Sequence, residues 1–306
     1  MRALVTGGAG FIGGAIARAL VERGDDVVVL DNFLTGFEEV VPPEATLIRG
    51  DLRNPEDCAR ACEGAEVVFH QGAIRSVERS VDDPILVADC NIMGSVNLLM
   101  AAEKAGVRRV VYASSSSVYG DVGDVVQHED MLPQPLSPYA VSKLTAEYYC
   151  RAWTQLKGVS TVSLRYFNVY GPGQHRESKY AAVFPAFVGA LVNGEAPELH
   201  WDGEQTRDFS YIDDVVAANL AAAAASAEAD GAVLNIGGGE PKSVNQVLKA
   251  VSEAVGRWIE PTRTPRRPGD VRHTHADISR AMKVLDWEPK AEWAGSVGAT
   301  VEWFQR

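Results

Sequence analysis

An apolar run, Ala3-Leu4-Val5-Thr6, leads directly into Gly7-Gly8-Ala9-Gly10-Phe11-Ile12-Gly13, and residues 15–23 follow with helical periodicity. Glycines at such a junction let the backbone turn sharply from strand to helix. The N–H groups and dipole at the helix start favour negative charge, so Gly7, Gly10 and Gly13 read as a pyrophosphate cradle. The spacing is GxxGxxG rather than GxGxxG, and a tight turn packing a helix on a strand would use the same glycines. The next apolar run, Val27-Val28-Val29-Leu30, ends at Asp31, and no Lys or Arg lies between Asp31 and Arg49. A carboxylate at that strand end accepts hydrogen bonds from both adenosine ribose hydroxyls and repels a 2′-phosphate. NAD rather than NADP is therefore the expected cofactor. Asp51-Leu52, after the third run, lies where a carboxylate can reach the adenine amino group, a position that a solvated loop carboxylate would also occupy.

The apolar runs at 3–6, 27–30, 46–49, 67–69, 110–113 and 161–165 are continuous rather than alternating, and amphipathic stretches separate them. Strands buried on both faces by helices have this pattern, so the fold class is α/β, a doubly wound parallel sheet of Rossmann type. From about residue 169 the pattern changes to Gly171-Pro172-Gly173, a helical stretch over 181–192, and polar loops. The chain is expected to divide into a cofactor-binding domain over 1–168 and a smaller, mainly substrate-binding lobe over 169–306, with crossings between them.

Composition excludes several classes. The net charge of -12 leaves no basic face for general nucleic-acid or acidic-membrane binding. The longest tempting apolar run, 215–225, is interrupted by Asn219, so no membrane span is expected and the location is read as cytoplasmic. Cys58, Cys62, Cys90 and Cys150 show no disulfide or metal spacing, and His273, His275 and Asp277 lack a fourth ligand, so no metal is expected.

Ser137-Pro138-Tyr139-Ala140-Val141-Ser142-Lys143 opens a predicted helix over 138–156. Tyr139 and Lys143 share a face, four residues apart, so the ammonium and the positive nicotinamide can draw the phenol pKa down toward neutrality. One strand earlier, Ser114-Ser115-Ser116-Ser117 places hydroxyls at a strand's carboxyl end, where open parallel sheets carry their sites, although a serine-rich turn fits too.

In this order TGGAGFIG, Asp31, SSSSVYG, SPYAVSK, LRYFNVYGPG, TRDFSYIDD and RRPGDVRHTHADIS resemble the extended short-chain dehydrogenase/reductase family, in particular its UDP-sugar 4-epimerases, over the whole chain. The resemblance implies that Ser115 is the catalytic hydroxyl, Tyr139 the acid/base and Lys143 the ribose-binding lysine that tunes it. Arg75 becomes a pyrophosphate contact, unless it pairs with Glu78, and Asn91 a structural or cofactor contact behind the site. Phe11, Ile12, Asn32, Gln71, Ala73 and Tyr166 complete the expected cofactor set. Asn168, Ser76 and Ser116 are the implied sugar-nucleotide contacts, and Arg207 with Arg267 and Asp270 would clamp the diphosphate and ribose.

Dehydratases of the family carry an Asp-Glu pair after the catalytic hydroxyl, whereas this chain has Ser116 and Ser117. What remains is hydride transfer with one proton, namely C4 epimerisation of a UDP-hexose. In the family a bulky residue near the last motif excludes a 2-acetamido group, and Thr274 stands there. A one-residue shift would put His275 in that wall. UDP-GlcNAc/UDP-GalNAc is thus the expected pair, with the non-acetylated sugars or a uronate as alternatives. A nicotinamide-linked sugar-nucleotide reductase and a non-catalytic nucleotide sensor are the rivals. Apolar residues around the predicted helices 85–105 and 138–156 suggest a homodimer, or packing beneath the second lobe.

Overall fold

The computed structural model describes residues 1–175, 182–266 and 271–306. Seven strands form one sheet: β1 Arg2–Thr6, β2 Asp26–Asp31, β3 Thr46–Arg49, β4 Val67–His70, β5 Arg109–Ser115, β6 Ser160–Tyr166 and β7 Ala232–Ile236. Their order is β7-β6-β5-β4-β1-β2-β3, with every neighbouring pair parallel. Apolar residues fill both faces. One face packs Val5, Val29, Phe69, Val111 and Leu164 against helices Phe11–Glu22 and Ile212–Ala224, and the other packs Leu4, Val28, Val68 and Tyr112 against Pro55–Cys62 and Gly94–Ala105. Double burial is the reason the sequence shows unbroken apolar runs.

The chain fills the sheet outward from β1 to β3, then returns to start β4 on the other flank of β1. Ligand crevices of open α/β sheets open at such a reversal, above the carboxyl ends of the strands. β7 comes from beyond residue 168 and pairs Ala232–Ile236 with Val162–Tyr166. No apolar run in the chain announces this strand, which is five residues long and carries Asn235 at its fourth position.

Against the expectation of no membrane-spanning run, helix Pro84–Ala105 (22 residues) contains an 18-residue window of mean hydropathy 1.6, long and apolar enough by length and composition to cross a membrane. Half of that window is buried, with Leu98, Leu99, Ala101 and Ala102 spent on the sheet. Residues Asp89–Met93 within it form a π turn, a feature common at functional sites.

Beyond the sheet edge, helices Val183–Asn193, Val244–Val255 and Trp293–Gln305 enclose a second core that includes Phe184, Leu199, Phe209, Val251 and Phe304. Tyr170 stacks on Phe184 there, with ring centroids 4.4 Å apart.

Candidate active site

The glycine cradle has the geometry its sequence requires. Gly7 has φ +68, and a Cβ on it would lie 2.7 Å from the backbone of Gly72. A Cβ on Gly13 would come within 2.2 Å of the Gly7 carbonyl oxygen. Gly10 is the N-cap of helix Phe11–Glu22, no side chain caps its amides, and no acidic residue occupies its first turn. An anion is the natural partner of such a helix end.

Gly7, Gly10, Phe11, Ile12 and Gly13 line a cleft with Asp31, Asn32, Asp51, Leu52, Gln71, Ala73, Arg75, Tyr139, Lys143 and Tyr166. These are all of the expected cofactor residues except Asn91. Asp31 accepts from the amides of Ala9 (3.0 Å) and Phe33 (2.8 Å), so it ties the glycine loop to the end of β2. Asp51 is shared: Arg53 donates to both its oxygens and Asn32 to one. The Arg53 guanidinium holds its carboxyl well below the usual carboxylate range. Leu34, Thr35, Gly36 and His175 also line the cleft. The sequence reading missed them because no local pattern brings a loop after β2 beside residue 175.

Ser115 ends β5 and caps the short turn Ser116–Tyr119, accepting from the Ser117 amide (3.2 Å) and hydroxyl (2.9 Å). With its lone pairs so used, its proton is free for a further acceptor, and its hydroxyl acts on Tyr139, pulling the phenol pKa down. Tyr139 sits in the first turn of helix Pro138–Lys157, which Ser137 caps through the Ala140 amide (3.1 Å). Lys143, one turn on, is buried and donates to the Ala113 carbonyl at 2.8 Å.

The electrostatics differ from the sequence expectation. Burial raises the Tyr139 phenol above its ordinary value, while the Ser115 hydrogen bond and the Arg75 guanidinium pull it back. Burial brings the Lys143 pKa down to about 8, and Glu147 opposes that shift; its ammonium donates to the Ala113 carbonyl. Arg75 does not pair with Glu78, which instead accepts from Ser76 Oγ at 3.3 Å.

A polar spine supports the catalytic strand end. Arg165 donates to both oxygens of Glu147 (2.9 and 2.8 Å), Ser114 donates to the same carboxylate, and Arg165 lies over the Tyr119 ring at 4.7 Å. No local spacing signals this pair, since Arg165 stands on β6 and Glu147 on helix Pro138–Lys157. Asn91 is buried behind the site and clamps both backbone groups of Ile74 as well as Ser142.

A second cleft of about 800 Å³ adjoins the first and shares Arg75 and His175 with it. Ser76, Asn168 and Arg207 line it, together with Tyr170 and Phe209. Asn168 has φ +22, strain of the kind that proteins store at functional positions. Its amide donates to the Asp208 carbonyl at 2.9 Å and lies 3.5 Å from Thr274 Oγ1. Thr274 is buried behind Asn168, whereas the His273 ring meets Thr206 and Asp124. Ser116 lies in the turn beside Ser115. Arg267 and Asp270 fall outside the described residues. Among the described residues no cluster of His, Cys, Asp and Glu could hold a metal.

Residues 3–237 match the model of the family described as NAD dependent epimerase/dehydratase. The UDP-glucose 4-epimerase of Mycolicibacterium smegmatis is 37% identical over 312 residues, covering 100% of this chain and 99% of that protein. The structure resembles the UDP-glucose 4-epimerase of Thermotoga maritima solved with UDP-glucose (TM-score 0.95, 38% identity, 100% and 99% of the two chains). It resembles equally the UDP-N-acetylglucosamine 4-epimerase of Methanobrevibacter ruminantium in complex with UDP-N-acetylmuramic acid (TM-score 0.95, 34% identity, 99% and 98%). With a side-chain-free pyrophosphate cradle and an Asp31-bounded ribose end to receive it, the chain belongs to the NAD-dependent epimerase/dehydratase family, and NAD is its cofactor.

Proposed function

We propose that this protein inverts the C4 hydroxyl of a UDP-hexose, with UDP-GlcNAc/UDP-GalNAc the preferred pair. One observation carries the reading: Tyr139 and Ser115 stand together at the end of β5, followed by Ser116 and Ser117 rather than by carboxylates. Elimination across C5 and C6 needs an acid and a base beyond the tyrosine. Among the described residues, the carboxylates sharing the Tyr139 cleft are Asp31, which ends β2, and Asp51, which follows β3, both on the far side of β1 from β5.

NAD, when bound in the cleft, would supply the hydride acceptor and donor for C4. Tyr139 takes the C4 hydroxyl proton as phenolate and gives it back, while Ser115 donates a hydrogen bond that favours the phenolate. Lys143, held by the Ala113 carbonyl, would contact the nicotinamide ribose. Arg207 and Asn168 would grip the nucleotide, with Arg267 and Asp270 as further ligands, so that the hexose alone turns over between the two hydride transfers. Ser76 and Ser116 are assigned to the sugar side of the cleft. The acetamido preference rests on the family resemblance, which makes the small Thr274 the counterpart of the residue that walls the hexose pocket.

Exposed Val81, Ile85, Tyr148 and Leu156 on helices Val77–Asp82, Pro84–Ala88 and Pro138–Lys157 support a homodimer, for which sedimentation of the purified protein is the test.

The deciding assay incubates purified protein with UDP-GlcNAc, UDP-glucose or UDP-glucuronate without added cofactor and follows the sugar signals by NMR. The expected product is the C4 epimer of UDP-GlcNAc, absent with Tyr139→Phe. An exo-alkene, a pentose or an unchanged sugar in all three reactions refutes the proposal. Epimerisation of the uronate or glucose alone corrects the substrate.

A further inference from the structure

His70 ends β4 and is fully buried between β1 and β5, yet the chemistry above makes no use of it. Its hydrogen bonds have only one consistent direction. The Ser95 hydroxyl donates to the Asn91 carbonyl at 2.6 Å, so it has no proton for the imidazole and must accept one from Nε2 at 2.9 Å. Nδ1 then carries the lone pair and accepts from Thr6 Oγ1 at 2.8 Å, while Thr6 accepts the Gly72 amide at 3.1 Å. On the other side, Asn91 accepts the Ile74 amide (2.8 Å) and donates to Ser142 Oγ (3.0 Å), which donates to the Tyr139 carbonyl (2.7 Å). Thr6, His70, Ser95, Asn91 and Ser142 are all buried, so water cannot replace a broken link. Burial, helped by the Lys143 charge, brings the imidazole pKa down to about 3, which keeps the ring neutral and the direction fixed.

The two ends of this chain are functional. Gly72 and Ile74 belong to the loop that lines the dinucleotide cleft, and Tyr139 is the acid/base. We propose that His70 is a positioning residue for hydride transfer: as a one-way hydrogen-bond relay it holds the 72–75 loop, and the cofactor face it shapes, in register with the Tyr139 backbone. It touches neither substrate nor cofactor. The inference rests on the 4-epimerase reading.

His70→Leu removes both polar links at similar bulk. His70→Asn restores an acceptor and a donor on one planar group. Misplacement by about 1 Å can cost about a hundredfold in rate, so His70→Leu should lower kcat by about ten- to a hundredfold with KM for the sugar nucleotide within about twofold. His70→Asn should recover most of the loss. Should His70→Leu fail to fold, Ser95→Ala cuts the same chain by deleting one hydroxyl and should show the same split between kcat and KM. Unchanged kcat in a folded variant, a loss carried equally by KM, or no rescue by His70→Asn overturns the proposal. Wild-type turnover is measured first, and its absence counts against the epimerase reading alone. The relay is then judged by amide exchange at Gly72 and Ile74 in the NAD-bound protein. Exchange must accelerate in His70→Leu and return in His70→Asn, and unchanged exchange rejects the relay.

Discussion

Replacing Gly13 by Ala tests the cradle at the point where it is tightest. The new Cβ would lie 2.2 Å from the Gly7 oxygen and 2.7 Å from the Gly7 carbonyl carbon, far inside contact distance. Gly7 cannot retreat, because it already lies against the Gly72 backbone and its carbonyl holds the Gly10 amide at 3.0 Å. Relief therefore requires a shift of about 1 Å in the loop, with overpacking costing about 1–3 kcal/mol and the strained hydrogen bond about 1 kcal/mol more. The better helix propensity of Ala returns about 1 kcal/mol, leaving a net loss of about 1–3 kcal/mol. For a chain of this size that corresponds to a fall in Tm of roughly 2–5 °C. The same shift moves the N–H groups that face the pyrophosphate, so the purified variant should carry little NAD. Differential scanning calorimetry and acid release of bound nucleotide read the two effects separately. Gly298→Ala is the matched control, since its Cβ would meet nothing within 4 Å in helix Trp293–Gln305; it should stabilise by about 0.5–1 kcal/mol. A Gly13→Ala protein with wild-type Tm and full NAD content would refute the steric reasoning.

Arg75→Met removes a cation that lowers the Tyr139 pKa, so the rising limb of kcat against pH should move upward; an unmoved limb assigns the tuning to another group. The depressed His70 pKa carries a stability signature as well. The unfolded chain binds a proton near pH 6.5 that the folded protein refuses until about pH 3, so this contribution to stability is lost as the pH drops from about 6.5 to 3. His70→Asn should flatten that slope in denaturant titrations at pH 4 and 6.5, and parallel slopes would place the acid sensitivity elsewhere.

The parts of the site legible beforehand are those whose geometry is local. Gly7 and Gly13 announce a turn because backbone sterics act over a few residues, and Tyr139 and Lys143 announce a shared face because the helix repeat is fixed. The continuous apolar runs identified six of the seven sheet strands, since burial on both faces leaves that trace in composition. Prediction weakened where the relevant neighbour is distant in sequence. Arg75 comes to act on the phenol because the 72–75 loop lines the same cleft, and the Ala113 carbonyl engages Lys143 across 30 residues.

The α/β class, the glycine turn, the carboxylate at the end of β2 and the Tyr139–Lys143 face are written in the order of residues, because each rests on chain stiffness, helix pitch or burial period. Folding alone brings β7 onto the sheet, Arg53 onto Asp51, Thr274 behind Asn168, and His70 between the cofactor loop and the catalytic helix. Those arrangements depend on which side chains burial forces together, and a hydrogen bond closed over tens of residues leaves no periodic mark on the chain that makes it.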